Sequence, residues 1–298
     1  MSHRHSDAEN PDGLTIGAAL AALAGRLATA GIDSARLDAR LLLAHAVGRD
    51  PLWIVAHPEL ALDAAARERL AALAERRERR QPIAQIIGER EFWSLPFRVT
   101  ADTLCPRPET ETLVEAVLAS VSDRSAPLRL LDLGTGTGCL LLSLLSELPN
   151  ARGVGVDCSA AALAVARGNA DILNLAPRAE FVSGDWGRGL DGLFDVIVSN
   201  PPYIAENDIA ELEPEVAAHE PRGALAGGID GLDCYRRMAA DVVRLLAPRG
   251  IAAVEVGVGQ AEAVCAIFTR AGANGTAVRR DLSGVDRCVI FGDWEKTS

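Results

Sequence analysis

The sequence predicts an α/β protein in which a doubly wound sheet follows a small helical domain. Apolar residues recur at three- and four-residue spacing from Thr15 to about Arg80, which is typical of packed helices. Beyond residue 105, short apolar runs alternate with helical stretches, and a glycine-rich turn follows the first of these runs. Strands that alternate with helices indicate a parallel sheet with helices on both faces.

The composition is that of a folded, acidic protein. Of the 298 residues, 49% are hydrophobic and 24% are charged, which excludes a disordered chain. The formal net charge is −11. Residues 91–298 carry 18 basic and 29 acidic side chains, so the whole acidic excess lies there. This acidity argues against a protein whose main task is to grip a nucleic-acid backbone.

The sequence contains no pattern that indicates export, a membrane or a metal. Six scattered cysteines form no C-x-x-C pair and no histidine pattern accompanies them, so we expect a cytoplasmic protein with no metal. The apolar run from Leu14 to Ala24 follows acidic residues, which is the wrong sign for a signal peptide. Arg26 ends the run well short of the roughly 20 residues that span a bilayer. No feature requires a dimer, so we expect a monomer.

The helical domain, residues 1–80, is expected to recognise the substrate. Its predicted helices are a first that ends at Gly31, a second over Ser34–Val47 and a third over Asp63–Arg80. In the second helix we expect Leu37, Leu41 and Leu42 to face inward.

A basic cluster closes the third helix and has two interpretations. It consists of Arg76, Arg77, Arg79 and Arg80. These cations can lie on a solvated face that the helix dipole favours. Alternatively, they form a docking patch for an acidic or RNA-bearing partner.

The remaining chain is predicted to form a connector, residues 81–104, and a second domain, residues 105–298. Alternating residues over Phe92–Val99 predict a short hairpin in the connector. The predicted strands of the second domain are Leu128–Leu133, Gly153–Val156, Phe194–Ser199 and Ile251–Val256. Its predicted helices are Leu140–Leu148, Ala160–Ala170, Tyr235–Leu246 and Ala261–Ala271.

The glycine-rich turn predicts a cofactor site. It reads Asp132-Leu133-Gly134-Thr135-Gly136-Thr137-Gly138 and joins a strand to a helix. Glycines allow the tight turn and the close approach of a ligand to the backbone. The next strand ends at Asp157, where a carboxylate can accept both hydrogen bonds of a ribose diol. A nucleoside-bearing cofactor is therefore expected, and both NAD and S-adenosylmethionine fit.

A second motif, Asn200-Pro201-Pro202-Tyr203, separates these two cofactors. It follows the strand Phe194–Ser199, and ligands bind at the carboxyl ends of the strands in such sheets. The prolines lack N–H donors, so the Asn200 side-chain oxygen and the Pro201 carbonyl remain as two adjacent acceptors. They suit a planar –NH2 group with Tyr203 over its flat face. Hydride transfer has no use for this arrangement, so the motif favours S-adenosylmethionine.

Together the two motifs resemble the class I S-adenosylmethionine-dependent methyltransferases that act on a planar nitrogen, which implies a Rossmann-like sheet. The sequence resembles most closely the HemK/PrmC family, glutamine N5-methyltransferases that modify peptide chain release factors. The resemblance runs from about Gly88 to Phe291, with a departure at Val256, where we expect histidine. Further matching segments are Phe92–Phe97, Pro106–Glu111, Gly184–Trp186, Glu220–Leu232 and Asp281–Arg287.

The resemblance also implies a role for each cofactor-binding residue. The loop residues that would hold the methionine part of S-adenosylmethionine are Gly134, Thr135, Gly136, Thr137 and Gly138. Asp157 would bind the ribose hydroxyls. Trp186 would lie along the adenine, and Asp185 would lie near its amino group. Asn200 would also adjoin the cofactor.

The implied substrate is a glutamine in the Gly-Gly-Gln loop of peptide chain release factors. The residues that would hold its side chain are Asn200, Pro201, Pro202 and Tyr203. We expect three nearby charged residues to brace the site rather than react, namely Arg107, Glu109 and Glu111.

Three alternatives stay open on the sequence alone. Adenine N6 and guanine N2 present the same two N–H bonds, so the tetrapeptide also suits a nucleic-acid methyltransferase, which the acidic charge of residues 91–298 disfavours. A glutamine methyltransferase of a ribosomal protein would share nearly every residue discussed. A nucleoside-binding module without catalysis would leave Asn200 idle.

Overall fold

The structure is a computed structural model that describes residues 13–292, and the chain divides into two compact units. The first unit ends at Ile87 and the second begins at Gly88. Residues 1–12 and 293–298, which the predicted domains include, lie outside the described residues.

The described part of the first unit is helical. Its helices are α1 (Ile16–Thr29), α2 (Ala35–Val47), α3 (Pro51–Ala56), α4 (Ala64–Glu78) and α5 (Ile83–Ile87). Asp63 caps α4, because its carboxylate accepts a hydrogen bond from the Ala66 N–H at 2.7 Å. The short helices α3 and α5 were not predicted, and α5 falls in the predicted connector.

The inward face of α2 differs from the prediction by one position. Leu42 is fully buried as expected, but Leu37 is 47% exposed and Asp38 is 2% exposed in its place. Asp38 is buried because Arg77 of α4 donates a hydrogen bond from Nε to its Oδ2 at 2.7 Å. The prediction for Leu37 is therefore wrong, since apolar periodicity alone does not reveal a buried ion pair.

Three residues of the basic cluster, Arg76, Arg77 and Arg80, contact other parts of this unit, whereas Arg79 is exposed. Arg76 donates to the Gln81 side chain at 2.9 Å and to the Gln85 carbonyl at 3.2 Å. Arg77 is 4% exposed, and Arg80 donates to the Gly31 carbonyl. The interpretation of the cluster as a solvated face is wrong for Arg76 and Arg77, whose guanidinium groups bind other parts of the helical unit.

The second unit begins with the predicted hairpin. Strands β1 (Glu89–Phe92) and β2 (Leu95–Arg98) pair in antiparallel register. Trp93 and Ser94 form the two-residue turn with φ of +52° and +55°. Positive φ at both positions is the geometry of a type I′ turn, whose twist matches that of the strands.

A seven-stranded sheet forms the centre of the second unit. Its strands are β3 (Arg129–Leu133), β4 (Arg152–Asp157), β5 (Ala179–Ser183), β6 (Phe194–Ser199), β7 (Leu246–Glu255), β8 (Ala277–Arg280) and β9 (Asp286–Gly292). Their order is β5-β4-β3-β6-β7-β9-β8. Neighbours from β5 to β7 are parallel, whereas β9 is antiparallel to both β7 and β8. The predicted parallel sheet is confirmed from β5 to β7. β9 departs from it, because the short connection from β8 to β9 can join only antiparallel strands.

Helices cover both faces of the sheet, which confirms the doubly wound fold. They are α6 (Glu111–Ser120), α7 (Cys139–Glu147), α8 (Ala160–Ile172), α9 (Pro214–His219), α10 (Asp233–Leu245) and α11 (Ala261–Ala271). Successive strand residues enter different cores: Leu130 packs with α7, whereas Leu131 packs with α10. No helix in the described range 13–292 is long and apolar enough to cross a membrane.

The register of the central strands aligns their carboxyl ends. Leu133 pairs with Val156 on one side and with Ser199 on the other. Ser199 pairs in turn with Val254. The residues that follow these four strand ends therefore lie along one edge of the sheet, where both sequence motifs occur.

Candidate active site

The glycine loop after β3 has the geometry that the sequence predicted. Gly134, Gly136 and Gly138 have φ of +74°, +53° and +80°, which residues with a Cβ rarely adopt. The N–H groups of Gly134 and Thr135 both donate to the Val156 carbonyl at 2.9 Å. A Cβ on Gly136 would meet nothing within 4 Å. The loop is thus held against β4 and is open at Gly136.

Asp157 closes this loop from the end of β4. Its Oδ2 accepts a hydrogen bond from the Gly136 N–H at 2.9 Å, and its Oδ1 accepts from the Ser159 N–H at 2.9 Å. Ser159 caps α8 through its own side chain. Each carboxylate oxygen has further lone pairs for a ligand. The predicted ribose-binding residue is therefore already fixed in position by two backbone donors.

Asp132 is the first residue of the glycine motif, and the sequence alone assigns it no role. It is 1% exposed, and its Oδ2 accepts a hydrogen bond from the Thr135 hydroxyl at 2.6 Å. Its Oδ1 is buried without a partner among the described residues. Burial raises the pKa of Asp132 to about 7. The available signal in the sequence was an acidic residue inside an apolar strand directly before a glycine turn.

Trp186 lies beside the glycine loop, whereas the neighbouring Asp185 is paired with an arginine. A Cβ on Gly134 would be 3.6 Å from Trp186 Cζ3, so the indole ring lies beside the glycine loop. Trp186 has φ of +55°, a strained conformation of the kind that persists at functional sites. Asp185 is exposed and binds Arg237 at 2.6 Å. The structure thus brings Trp186 to the loop and pairs Asp185 with an arginine of α10.

The Asn-Pro-Pro-Tyr segment follows β6 and is held by its surroundings. Gln260 donates from Nε2 to the Tyr203 carbonyl at 2.9 Å. A Cβ on Gly227 would be 2.8 Å from the Pro202 carbonyl oxygen, so that close approach requires glycine. Asn200 donates from Nδ2 to Thr110 Oγ1 at 3.2 Å. Within residues 13–292, no donor reaches Asn200 Oδ1 or the Pro201 carbonyl.

Glu255, the last residue of β7, contacts both ends of this segment. It binds Tyr203 directly and reaches Asn200 through Thr110. Its Oε2 accepts from the Thr110 hydroxyl at 2.6 Å, and its Oε1 accepts from the Tyr203 hydroxyl at 3.2 Å. Tyr235 donates to its backbone carbonyl at 2.8 Å. Glu255 is 1% exposed, and burial raises its pKa to about 7 against the opposing effects of Thr110 and Arg287. Neither Glu255 nor Thr110 received a role from the sequence, although Thr110 lies inside the segment Pro106–Glu111.

Of the three charged residues that were expected to brace the site, Arg107 and Glu111 bind neighbouring parts of the second unit. Arg107 binds the buried carboxylate of Glu220 at 2.7 Å. Burial raises the pKa of Glu220, and Arg107 opposes that rise. Glu111 accepts a hydrogen bond from the Trp93 N–H at 2.8 Å, which ties the hairpin turn to α6. Glu109 is exposed.

Comparison with known proteins identifies the family. A release factor glutamine methyltransferase from Rhodospirillum rubrum is 47% identical to this chain over 277 residues. The match covers 93% of this chain and 85% of the relative's length. The corresponding protein of Caulobacter vibrioides is 47% identical over 278 residues, covering 93% of this chain and 96% of its own. The chain belongs to the release factor glutamine methyltransferase family.

The domain and structure comparisons agree with this membership. In this release factor glutamine methyltransferase family member, residues 18–88 match the PrmC N-terminal domain and residues 110–218 match the methyltransferase small domain. The resemblance to the HemK/PrmC family is therefore confirmed.

Solved structures bear on the fold of this methyltransferase. The catalytic domain of hMettl16 in complex with an RNA hairpin superposes with a TM-score of 0.58 at 15% identity, covering 77% of this chain and 83% of that one. A methyltransferase from Pyrococcus furiosus gives 0.50 at 16% identity, covering 74% and 98%. These neighbours confirm the class I methyltransferase fold.

Proposed function

We propose that this enzyme transfers a methyl group from S-adenosylmethionine to the side-chain N5 of a glutamine in peptide chain release factors. The observation that carries the proposal is the free acceptor pair at the end of β6, Asn200 Oδ1 and the Pro201 carbonyl, at the same sheet edge as the glycine loop. The named relatives act on release factors. Their similarity over nearly the whole chain supports the same substrate here.

The residues around the glycine loop fit S-adenosylmethionine. The loop Gly134–Gly138, which is open at Gly136, suits the methionine part. The unpartnered Oδ1 of Asp132 suits its cationic amino group. Asp157 would bind the ribose hydroxyls. Trp186 would flank the adenine, and Asp185 would take its amino group once released from Arg237.

The chemical task of the protein is to position a weak nucleophile. When bound, S-adenosylmethionine supplies an electrophilic methyl group, and no metal is required. A glutamine amide delocalises its nitrogen lone pair into its own carbonyl. Hydrogen bonds from both N–H groups to Asn200 Oδ1 and the Pro201 carbonyl would raise electron density on the nitrogen and fix its direction. Holding reacting atoms ~3–3.5 Å apart lowers the barrier by several kcal/mol.

The nitrogen also has to lose a proton once it carries the methyl group. Both oxygens of the Glu255 carboxylate already accept hydrogen bonds, from the Thr110 and Tyr203 hydroxyls. We propose that the proton passes to water after methyl transfer. Tyr203 would cover the flat face of the amide.

The wider assignment follows from the same chemistry. A release factor substrate implies a cytoplasmic enzyme, and the six free cysteines in the described part of the chain suit that compartment. We propose that residues 1–80 contribute to recognition of the release factor and that the enzyme acts as a monomer. The acidic charge of residues 91–298 supports a protein rather than a nucleic-acid substrate.

The proposal is tested by transfer of labelled methyl groups to a panel of release factors, ribosomal proteins and nucleic acids. We expect label on one glutamine of a release factor, located by mass spectrometry. The same glutamine should be unmethylated in cells that lack this enzyme. Label confined to a ribosomal protein or to nucleic acid would refute the substrate assignment, and tight NAD binding without S-adenosylmethionine binding would refute the cofactor.

A further inference from the structure

We infer that Glu255, acting through Thr110, fixes the orientation of the Asn200 amide and so makes the substrate pocket select an amide over a carboxylate. The inference deepens the proposed function and rests on it. Thr110 and Glu255 are positioning residues, because they act through Asn200 and not on the substrate itself.

The first step is the direction of the hydrogen bond between Thr110 and Glu255. The two oxygens are 2.6 Å apart, and both residues are buried. An ionised carboxylate only accepts hydrogen bonds, and a threonine hydroxyl has a single proton to give. The Thr110 proton therefore points to Glu255, and only lone pairs of Thr110 Oγ1 remain for other neighbours.

The second step follows for Asn200. Its amide lies 3.2 Å from Thr110 Oγ1, which can act there only as an acceptor. The Asn200 group that faces Thr110 must then be the donor Nδ2. The oxygen Oδ1 is consequently turned to the opposite side. An asparagine amide has two orientations that look alike in shape, and the hydrogen-bond network decides between them.

The other neighbours of Glu255 hold it in the accepting state. Tyr203 donates its hydroxyl to Oε1 at 3.2 Å, and the charge of Arg287 favours the ionised form. Burial opposes ionisation and raises the pKa to about 7, to which the charge of Glu109 also contributes. Experiments on this network therefore belong at about pH 8, where Glu255 is ionised.

The fixed orientation of Asn200 makes the pocket select glutamine over glutamate. A glutamine –NH2 group offers two donors to Asn200 Oδ1 and the Pro201 carbonyl. A glutamate carboxylate offers only acceptors, so its oxygens would face the two acceptors Asn200 Oδ1 and the Pro201 carbonyl. Such contacts between acceptors disfavour binding. If the Asn200 amide were free to turn, Nδ2 would face the pocket and would accommodate the carboxylate. The part of the discrimination that Asn200 supplies thus depends on the Thr110 hydroxyl, whereas the Pro201 carbonyl supplies the rest.

The test uses the Thr110→Val variant, which keeps the shape of the side chain and removes its hydroxyl. Binding is measured for a release factor with its native glutamine and for the same factor with glutamate in that position, in the presence of S-adenosylhomocysteine. We expect the preference for glutamine over glutamate to fall about tenfold, because the carboxylate can then face Asn200 Nδ2 and opposes only the Pro201 carbonyl. The kcat/KM for the glutamine factor should fall at least as far. Affinity for S-adenosylmethionine should stay within about twofold, because the glycine loop does not depend on Thr110.

Two further threonine variants complete the design. Thr110→Ser retains the hydroxyl and should restore most of the preference and of the turnover. Thr103→Val makes the same change at a buried threonine whose Oγ1 has no partner among the described residues, and it should match the wild type. If Thr110→Val does not fold, Glu255→Gln replaces it, because a neutral amide at 255 lets Thr110 donate in either direction and should also lower the preference.

The outcomes separate this inference from the proposed function. Wild-type enzyme that does not methylate the glutamine factor would overturn both. Wild-type enzyme that methylates it, with an unchanged glutamine preference in Thr110→Val, would overturn the inference alone. A Thr110→Ser variant as impaired as Thr110→Val would also overturn it, because shape rather than the hydroxyl would then matter.

Discussion

Asp157 Oδ2 accepts a hydrogen bond from the Gly136 N–H at 2.9 Å, which ties the end of β4 to the middle of the glycine loop. Asp157 therefore serves the loop before any ligand arrives. We expect Asp157→Ala to weaken S-adenosylmethionine binding by ~1.5–3 kcal/mol, because buried ribose hydroxyls lose a charged partner and the loop loses a brace. Titration calorimetry measures this change directly.

The matched control is Asp171→Ala on the exposed side of α8. It removes the same charge from the same region and should leave the affinity unchanged. An Asp157→Ala variant that binds the cofactor as tightly as this control would remove Asp157 from the site.

Asn200→Ala should lower turnover far more than it lowers cofactor affinity. Loss of one preorganised hydrogen-bonding group typically raises a barrier by about 2–4 kcal/mol. Single-turnover methyl transfer and cofactor titration on the same preparation measure the two effects separately. The exposed Asn207→Ala serves as control. A chemical step within a factor of a few of wild type would show that Asn200 does not position the amide.

Asn200→Asp is a sharper form of that test. An aspartate still accepts hydrogen bonds from the substrate amide, so some activity above that of alanine is expected. Its second oxygen, however, would face Thr110 Oγ1, whose proton is directed to Glu255. We therefore expect activity well below wild type. An Asn200→Asp variant no more active than Asn200→Ala would contradict the importance of the acceptor.

Binding of S-adenosylmethionine should release a proton from Asp132. Burial raises the pKa of Asp132 to about 7 in the free protein, and a cationic amino group beside Oδ1 would lower it. At about pH 6 the free enzyme is mostly protonated at this residue, so binding should release up to roughly one proton. Calorimetry in two buffers of different ionisation enthalpy counts it. Asp132→Asn should abolish the release, and release that persists in this variant would assign it elsewhere.

The same raised pKa values predict how the stability of the ligand-free enzyme depends on pH. Between the unfolded values of 3.8 and 4.5 and the folded values of about 7, Asp132 and Glu255 hold protons that the unfolded chain has lost. The free energy of unfolding should therefore fall as pH rises through this window and should stay lower above it. Denaturant unfolding at several pH values measures the slope. The slope should be shallower in Asp132→Asn, and an equal slope in that variant would contradict the prediction.

The helical unit depends on the ion pair between Asp38 and Arg77. Arg77→Met should destabilise the protein by about 3–5 kcal/mol, because it leaves a buried carboxylate without its partner. The double variant Asp38→Leu with Arg77→Met should recover most of this loss, since apolar residues can replace a buried pair. Denaturant unfolding gives both values.

The control for this prediction is Arg26→Met, which breaks the exposed pair of Arg26 with Glu78. A solvent-exposed pair contributes less than about 1 kcal/mol. Equal losses in Arg26→Met and Arg77→Met would show that burial of the pair is not what matters.

The elements that the sequence predicted well are those whose signal is local. The helix Ala261–Ala271 and the strand Phe194–Ser199 were predicted to the residue, because each is an uninterrupted periodic or apolar segment. The glycine loop could be predicted because the positive φ of Gly134, Gly136 and Gly138 strongly favours glycine. β5 and the β8–β9 hairpin were missed, since their residues alternate weakly and depend on a neighbouring strand for their hydrogen bonds.

The sequence by itself therefore determined the fold class, the glycine loop and the Asn-Pro-Pro-Tyr segment. The fold class follows from the alternation of strand and helix patterns, and each motif is a short run of consecutive residues. Only the tertiary structure decided what surrounds them. Thr110 and Glu255 are 145 positions apart, and they meet because the residue directly before α6 lies beside the end of β7. Asp38 and Arg77 are likewise brought together by helix packing. A buried polar group needs a partner whatever the distance along the chain, and strand order and helix packing determine which residue supplies it.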